Sequence, residues 1–248
     1  MRLDKFICKS TQLNRVQARQ VIAEGLVVVN YEVVLNEATQ VHENNIITLD
    51  GKKLIQRPSR YIMMNKLANT LCSNADGVYP SLFHSIDVEN AFDLHIAGRL
   101  DADTTGLVWI TDDGRWSFNI ITPPSDRNKI RCEKIYRVGL NRPVDDSTAN
   151  ELKAKFEQGI QLQGEETLTL PAKVKVLNPN EVLLSIVEGK FHQVKRMFAA
   201  VGNRVISLHR EQIGEVKLDI DPGEWRYLTE KEVQSFSLSM LCVNPKIN

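Results

Sequence analysis

The chain of 248 residues has little that would place it in a membrane, in a secretory pathway or among strongly basic proteins. No apolar run approaches the roughly 18 residues that a membrane span needs. The N-terminus, from Met1 to Lys5, is charged where a signal peptide needs an apolar stretch. Lysine and arginine together number 31, as do aspartate and glutamate, so the net charge is zero. We therefore expect a cytoplasmic protein that binds its partners through local patches and not through overall charge.

Cysteine is also sparse, and its four positions argue against two further classes of protein. Cys8, Cys72, Cys132 and Cys242 lie far apart, so no pair has the spacing of a metal knuckle and no disulfide framework is indicated. We expect free thiols in a reducing compartment. The apolar fraction of 42% and the charged fraction of 25% are those of an ordinary globular protein.

Positive charge is concentrated in three segments, residues 1–29, 127–137 and 188–210, where lysine and arginine outnumber aspartate and glutamate. A folded surface can collect such segments around a polyanion such as a nucleic acid. The competing explanation is that each segment is an ordinary solvated surface.

The first fifty residues predict a compact module of two short helices and a small sheet. Leu3, Phe6 and Ile7 fall at helical spacing. Asn14, with Gln17 three residues later, has the pattern of a capping box at the start of a second helix. Apolar runs then predict short strands at 26–29, 33–35 and 46–49. A unit of this size buries little apolar area, which favours a binding attachment over a catalytic domain.

A polar stretch that contains Pro58, Gly51–Ser59, predicts a linker. Beyond it, strand-like runs outnumber helical ones and do not alternate regularly with them, which favours an α+β domain with a mostly antiparallel sheet. Helical patterns occur at Asp146–Gln158 and His192–Val201. The predicted organisation is a first domain at 1–58, a second at 59–232 and a C-terminal tail at 233–248. The predicted strands of the second domain include 61–64, 108–111, 136–140, 172–176 and 182–187.

The densest polar cluster runs from Gly98 to Leu107 and has two interpretations. Oxygen-bearing side chains at 101, 103, 105 and 112 fall near the ligand positions of a calcium loop, but the last position holds aspartate and no clear helix flanks the loop. The alternative is a loop that presents Asp101 beside Arg99, whose guanidinium would keep the carboxylate ionised and aimed. We favour this second interpretation over a calcium loop. An ordinary surface turn with a routine pair of Arg99 and Asp101 remains the competing explanation.

Three motifs, in order along the chain, resemble those of the RNA pseudouridine synthases. The first is Gly98-Arg99-Leu100-Asp101 followed by Asp103-Thr104-Thr105-Gly106-Leu107, the second is Glu133-Lys134-Ile135-Tyr136, and the third is Glu188-Gly189-Lys190-Phe191-His192-Gln193-Val194-Lys195-Arg196-Met197. The first fifty residues resemble the S4 RNA-binding module that many of these enzymes carry. The match extends to about Glu232, and the chain as a whole resembles the branch that modifies 16S ribosomal RNA of the small subunit.

The resemblance implies a small S4-like (α-L) domain and a synthase domain whose mostly antiparallel mixed sheet is flanked by helices. It implies that a uridine is isomerised in place, after its base flips out of the stack, with no cofactor and no metal. Asp101 would be the essential carboxylate, acting as a nucleophile or as a base toward the sugar, and the sequence leaves both roles open. Tyr136 would stack on the uracil, and Lys195 would face the carboxylate.

Further basic residues would bind the RNA. Arg99 would enter the space left by the flipped base or bind a phosphate, and Arg196 would contact a phosphate. His192 is either a substrate contact or a structural histidine. Two more arginines, Arg204 and Arg210, would extend the positive surface or serve as plain surface residues. In the S4-like module, phosphate contacts are predicted for Arg2, Lys5, Arg15 and Arg19.

One departure from the family pattern motivates a second hypothesis. The family commonly has Asn-Lys-Pro-x-Gly after the first strand of the catalytic domain, where this chain has Asn65-Lys66-Leu67-Ala68-Asn69, so the turn must differ. The second hypothesis is a non-catalytic RNA-binding or ribosome-assembly protein of the same fold. A third is a synthase directed at large-subunit ribosomal RNA or transfer RNA. A hydrolytic glycosidase that pairs Asp101 with Asp103 is disfavoured, because the family match accounts for Asp101 alone.

The expected partner is 16S ribosomal RNA, either free or within an assembling small-subunit particle. No membrane partner is expected. Nothing in the sequence demands more than a monomer.

Overall fold

The computed structural model describes residues 1–42, 44–122 and 132–238 and forms two compact units. The first consists of Met1–Ser59 together with Val88–Leu94, and the second of Arg60–Asp87 with the chain from His95 onward. The predicted basic segment 127–137 lies partly outside the described residues. None of the helices that the structure describes has the length and apolar character needed to cross a bilayer.

The N-terminal unit combines two helices with a small antiparallel sheet. The helices are α1 (Leu3–Ser10) and α2 (Arg15–Ala23), and the strands are β1 (Val27–Val29), β2 (Glu32–Val33), β3 (Ile47–Leu49) and β4 (Lys52–Lys53). The strand order is β2-β1-β3-β4. One apolar core joins helices and sheet, and its buried members are Leu3, Phe6, Ile7, Cys8, Ala18, Ile22, Val27, Val41 and Ile47.

Local signals explain why these elements begin and end where they do. The Asn14 side chain accepts hydrogen bonds from the Val16 and Gln17 amides, and the Gln17 side chain accepts one from the Asn14 amide, which is the predicted capping box. Asn30 and Tyr31 both have positive φ, at 48° and 73°, as a two-residue hairpin turn between β1 and β2 requires. The predicted module is therefore confirmed in its elements.

The predicted linker at Gly51–Ser59 is wrong in its first part. Asp50 and Gly51 form a second left-handed turn, and the residues that follow pair as β4 with β3. Further on, the Arg57 amide donates to the Lys9 carbonyl oxygen at 3.0 Å. The polar composition of this stretch therefore reflects an edge strand and a bound return segment, because an exposed edge is commonly protected by lysine.

The second unit is built on one mixed sheet of nine strands in the part of the chain that the structure describes. These strands are β5 (Tyr61–Lys66), β6 (His95–Ala97), β7 (Thr105–Thr111), β8 (Lys134–Leu140), β9 (Lys173–Asn178), β10 (Glu181–Ile186), β11 (Val205–Ile213), β12 (Val216–Lys217) and β13 (Trp225–Tyr227). The order is β13-β5-β7-β11-β8-β10-β9, with β6 paired to β7 and β12 to β11. Among the described pairings, β7 with β11 alone is parallel. The predicted α+β class with a mostly antiparallel sheet is confirmed.

Four helices flank this sheet, and two of them follow the predicted patterns. Among the described residues they are α3 (Gly114–Ile121), α4 (Asp146–Gln158), α5 (Gln193–Ala200) and α6 (Glu230–Leu238), with a 3₁₀ turn at Leu82–Ser85. Another 3₁₀ turn, Ala91–Asp93, lies in the segment grouped with the first unit. The start of α4 is fixed by a capping box in which the Asp145 carboxylate accepts from the Thr148 amide. Gly159, at φ 91°, ends it.

The parallel junction of β7 and β11 brings two backbones very close at Gly106. This residue pairs with Arg210, has φ 101°, and a Cβ built on it would overlap the Arg210 main chain. Glycine is therefore required there. The long strand β11, which lies at the centre of the sheet, has no counterpart in the sequence prediction, because its polar residues interrupt the apolar pattern.

The end of the described chain packs onto the second unit. In α6, Phe236 is buried in a cluster with Trp109 and Trp116, whose rings lie edge-on to it at 5.8 and 5.5 Å between centroids. The Trp116 indole nitrogen also donates to the Val233 carbonyl oxygen at 3.3 Å. Residues 233–238, assigned by sequence to a tail, therefore belong to the hydrophobic core of this unit.

Candidate active site

A loop between β6 and β7, residues 98–104, carries Asp101 and is held by a buried lysine. Lys66, at the end of β5, is fully buried, and its Nζ donates to the carbonyl oxygens of Leu67, Ala102 and Thr104 at 2.9, 3.0 and 2.8 Å. Burial lowers the pKa of Lys66. The three carbonyl oxygens accept the hydrogen bonds that the ammonium group would make to water if it were exposed. The loop is thus fixed through its main chain, which leaves the Asp101 side chain free to face outward.

Asn69 supports the same loop from the turn that departs from the family pattern. Its φ is 59°, and its amide donates to the Ala102 carbonyl oxygen at 2.8 Å. After glycine, asparagine is among the residues that best tolerate this left-handed conformation. Asn69 stands where the family motif has glycine and supplies the backbone conformation that glycine allows. The altered turn therefore still holds the loop.

Asp101 meets two side chains from the beginning of α5. The Lys195 Nζ lies 3.3 Å from its Oδ2, and the His192 Nε2 lies 3.3 Å from its Oδ1. The predicted pairing of Asp101 with Arg99 is wrong, because Arg99 is exposed and makes no hydrogen bond or ion pair with any residue that the structure describes. Nearness in the sequence does not bring the two side chains together in this loop, whereas Lys195 of α5 reaches Asp101 from a sequence separation of 94 residues.

Lys195 is shared between two carboxylates. Its Nζ also donates to both oxygens of Asp103, at 2.6 and 2.9 Å. Burial alone would lower the pKa of Lys195, but the hydrogen bond to Asp103 and the charge of Asp101 raise it above its ordinary value. The same hydrogen bond lowers the pKa of Asp103. Lys195 is therefore a fixed positive charge beside Asp101 across the neutral pH range.

Arg210, predicted as a surface residue, is instead buried between the loop and Tyr136. Its side chain is 1% exposed, and its Nε and Nη2 donate to the carbonyl oxygens of Leu107 and Gly98, each at 2.7 Å. Its Nη1 donates to the Tyr136 hydroxyl at 3.3 Å. The planar fork of a guanidinium can make these contacts together. Arg210 thus ties Tyr136 to the segment that leads into Asp101.

These side chains border a cavity of about 320 Å³. This is the lower end of the size range of sites for small organic groups. Its polar lining includes Arg99, Asp101, Tyr136, His192, Lys195 and Arg210. Five of the sequence-predicted residues therefore meet at one place, together with Arg210, which sequence reasoning missed because a charged residue in a strand is usually exposed.

Arg196, the sixth predicted residue of this unit, is engaged by the protein itself. Its Nη1 lies 3.1 Å from the Glu165 Oε1, and its Nη2 donates to the Gln163 carbonyl oxygen at 2.6 Å. Lys190 binds the other oxygen of Glu165 at 2.8 Å. Hydrogen bonds from Lys190 and Arg196 lower the pKa of Glu165. A phosphate would have to replace this carboxylate to reach either cation.

In the N-terminal unit, three of the predicted arginines surround one carboxylate. Asp4 is fully buried, and the guanidinium groups of Arg2, Arg15 and Arg19 lie 3.1, 3.2 and 3.5 Å from its oxygens. Burial opposes the charged form of Asp4, but the hydrogen bonds from Arg2 and Arg15 outweigh it and lower its pKa. Lys5, whose amide donates to the Asp4 Oδ1 at 2.9 Å, is half-exposed on the same helix.

Comparison with known proteins decides the family. Residues 60–200 match the family model of the RNA pseudouridylate synthases, and residues 1–47 match that of the S4 domain. The chain belongs to the RNA pseudouridylate synthase family. The ribosomal small subunit pseudouridine synthases A of Vibrio cholerae and of Escherichia coli K12 are 47% and 46% identical to it, each over 95% of this chain and 99% of the relative.

A solved structure agrees with this assignment. A crystal structure of a pseudouridylate synthase superposes with a TM-score of 0.67 and 42% identity, covering 95% of this chain and 99% of that one. The expected fold, an S4 domain followed by a pseudouridine synthase domain, is confirmed. The residues that match the synthase model include Asp101, which makes the cavity beside it the candidate for the catalytic site.

Proposed function

We propose that this synthase isomerises one uridine of small-subunit ribosomal RNA to pseudouridine at the cavity beside Asp101. The observation that carries the proposal is the arrangement of Asp101. Its carboxylate opens on the cavity, with Lys195 and His192 each 3.3 Å away on one side and Tyr136 in the lining. The names of the similar proteins from Vibrio cholerae and Escherichia coli support the small subunit as the source of the RNA.

The reaction rearranges bonds within one nucleotide. The bond from N1 of uracil to C1′ of the ribose breaks, the uracil turns, and a bond forms from C5 to C1′. The proton on C5 is lost and N1 gains one, so no group is added and no redox partner is consumed. A glycosidic bond is inaccessible in a stacked helix, and we infer that the uridine is flipped into the cavity.

Asp101 acts directly on the ribose in this proposal, either by attack on C1′ or by removal of a proton from the sugar. Both roles need an ionised carboxylate, and Lys195 places a positive charge beside it. Tyr136, which is buried apart from its cavity side and held by Arg210, is suited to stack on the uracil. Arg99 lies exposed at the same cavity and is suited to occupy the space that the base vacates or to bind a phosphate.

The N-terminal unit supplies affinity. Its arginines at 2, 15 and 19, with Lys5, form a basic cluster whose natural partner is the phosphate backbone, so binding should weaken steeply as salt rises. The predicted phosphate contact of Arg196 is retained in a modified form, in which a phosphate competes with Glu165. We further propose that the enzyme acts as a monomer in the cytoplasm. Its substrate would be free ribosomal RNA or an assembling small-subunit particle.

Release of tritium from small-subunit RNA labelled at uridine C5 tests the proposal. Wild type, Asp101→Asn and the matched variant Asp103→Asn are compared, since each change replaces one carboxylate that contacts Lys195. We expect release by wild type and by Asp103→Asn, and none above background by Asp101→Asn, although all three bind the RNA. Turnover by Asp101→Asn would remove this residue from the central role. No release by wild type from free RNA or particles would favour the non-catalytic hypothesis, and release from large-subunit or transfer RNA instead would redirect the substrate.

A further inference from the structure

Phe191 is a large apolar side chain left in the open beside the catalytic loop. It is 76% exposed, although it belongs to the short turn that leads into α5. One face of its ring is stacked on the ring of His192, with centroids 3.8 Å apart and planes inclined by 19°. Because His192 covers one face, the exposure belongs to the other face and the edge of the ring.

The ring is held in this position by its main chain. His192 adopts φ 48°, a left-handed conformation that is uncommon for a residue other than glycine. The Arg196 Nη1 donates to the Phe191 carbonyl oxygen at 3.0 Å. The buried Gln193 side chain accepts from the Lys190 amide at 2.8 Å and donates to Glu188 at 2.7 Å. These contacts hold the main chain of the turn, and the His192 ring supports one face of the Phe191 ring.

The place of this ring determines what can reach it. His192 lies between Phe191 and Asp101, with its Nε2 3.3 Å from the Asp101 carboxylate. A planar group that covers the free face of Phe191 is therefore close to the reacting sugar, because only the Phe191 and His192 rings separate it from Asp101. Lys190, Lys195 and Arg196 around the turn are paired with carboxylates of the protein. The exposed Arg99 of the same cavity has no hydrogen bond or ion pair with a described residue, and its positive charge favours a polyanionic ligand over an apolar protein surface.

We propose that Phe191, stacked on His192, is a platform on which the base of a nucleotide next to the target uridine stacks when the target enters the cavity. Unpaired bases are commonly recognised by aromatic side chains, and such stacking tolerates any base because each has a π face. The platform replaces the neighbour that the flanking base loses when the target uridine leaves the stack. This inference rests on the proposed function and adds a positioning residue for the RNA strand at that same site.

Fluorescence of 2-aminopurine tests the stack directly. The probe replaces either nucleotide that flanks the modified uridine, whose position is first mapped in the product RNA, and the Asp101→Asn background prevents turnover. We expect quenching on binding when residue 191 is phenylalanine, and its loss in Phe191→Ala. Tyr227→Ala is the matched control, since Tyr227 is also an exposed aromatic residue of this unit with a ring neighbour, but its neighbour is Trp225, which does not line the cavity, whereas His192 does. Tyr227→Ala should quench the fluorescence of the probe as strongly as the protein that keeps phenylalanine at position 191.

Kinetics with active enzyme separate stacking from simple packing. Phe191→Ala should raise KM for the RNA by about 5- to 100-fold, the effect of losing one base–aromatic stack, with a smaller change in kcat. Phe191→Trp should restore KM and Phe191→Leu should not. Full restoration by leucine would overturn the proposal. So would unchanged quenching in Phe191→Ala, or a defect confined to protein-containing particles, which would assign the ring to a protein contact.

The outcomes also distinguish this inference from the function on which it rests. If wild type releases no tritium, the proposed function fails and the platform fails with it. If wild type releases tritium and the quenching does not depend on residue 191, the platform alone is overturned.

Discussion

Asp4 and Asp101 are two carboxylates that face arginine or lysine side chains, and they differ in what surrounds them. Asp4 has no exposed surface, and three guanidinium groups cover its oxygens. The Asp101 side chain is 31% exposed, and its two basic partners lie 3.3 Å away, on one side of a cavity. The first carboxylate is enclosed by the protein, whereas the second keeps an open side toward a ligand.

The difference shows how one chemical group serves two purposes. At Asp4 the carboxylate is consumed by contacts within the fold, and its effect is to hold three arginines together on the N-terminal unit. At Asp101 the fold supplies fewer contacts and leaves part of the side chain exposed, so the oxygens are available to a substrate. A buried, fully paired acid is a structural element, and a half-exposed, partly paired acid in a cavity is a candidate for chemistry.

The largest expected effect is that substitution of Asp101 changes kcat, whereas substitution of Asp4 changes the RNA dissociation constant. Asp101→Asn should lower kcat by about three orders of magnitude or more, with the RNA dissociation constant nearly unchanged. Asp4→Asn should raise that dissociation constant by about tenfold and leave kcat at saturating RNA intact, since the arginines lose their common anchor. Tritium release and filter binding measure the two quantities. If both variants change the same quantity, the assignment of Asp101 to the reaction and of Asp4 to RNA binding is wrong.

The next effect concerns Arg210, which connects Tyr136 to the Asp101 loop. Arg210→Lys keeps the charge but loses the planar fork, so contacts to the buried carbonyl oxygens of Leu107 and Gly98 are lost. We expect the free energy of unfolding to fall by about 2–4 kcal/mol and kcat to fall with it. Urea denaturation and tritium release measure these changes. Arg204→Lys, at an exposed position just before the same strand, should alter neither.

Asp4 predicts a smaller effect on stability that depends on pH. Its pKa is lowered in the folded chain, so its contribution is fully present above the unfolded value of about 3.9 and is lost as pH falls through the folded value. Asp4→Asn should cost about 1–3 kcal/mol of unfolding free energy at neutral pH. This difference from wild type should shrink as pH falls below about 4. Denaturant titrations of both proteins across this range measure it, and a difference independent of pH would contradict the assignment.

The smallest expected effect lies at Glu165, which binds Lys190 and Arg196 at the rim of the second unit. Glu165→Gln removes the carboxylate that competes with phosphate, so RNA should bind about two- to fivefold more tightly at low salt, with a steeper dependence on salt. Glu166→Gln makes the same charge change at the exposed neighbour. Equal effects of the two substitutions would attribute the gain to net charge alone.

Local features of the fold are predictable from the sequence because their signals are local. The capping box at Asn14 and the helical pattern of Asp146–Gln158 each lie within a few residues of the structure that they specify. The three motifs likewise identify Asp101, Tyr136 and Lys195, which the structure places at one cavity. The capping box and the helical pattern follow from local sequence alone, whereas the identification of the three site residues depends on the resemblance of the motifs to a known family.

Long-range pairings escape the sequence for a physical reason. Arg99 is two residues from Asp101 and does not bind it, whereas Lys195 reaches it across the fold, a pairing expected only from the resemblance to the family. Arg210 is a buried charge in the strand β11, and its partners are the Tyr136 hydroxyl and main-chain carbonyl oxygens, which have no sequence signature. Such contacts depend on which strands become neighbours, here β7 and β11, and periodicity does not specify strand order.

The segment Val88–Leu94 has a consequence for how the molecule can be divided. It comes from the middle of the second unit in the sequence, yet it is grouped with the first, where Asn90 donates to Gln12 at 2.7 Å and Asp93 pairs with Arg57. The polypeptide therefore passes between the two units three times, and the RNA-binding module is not joined to the rest of the chain by a single linker. Deletion of the first 59 residues would strip this segment of its partners, so recombination or domain shuffling at that single point would not yield two self-sufficient pieces.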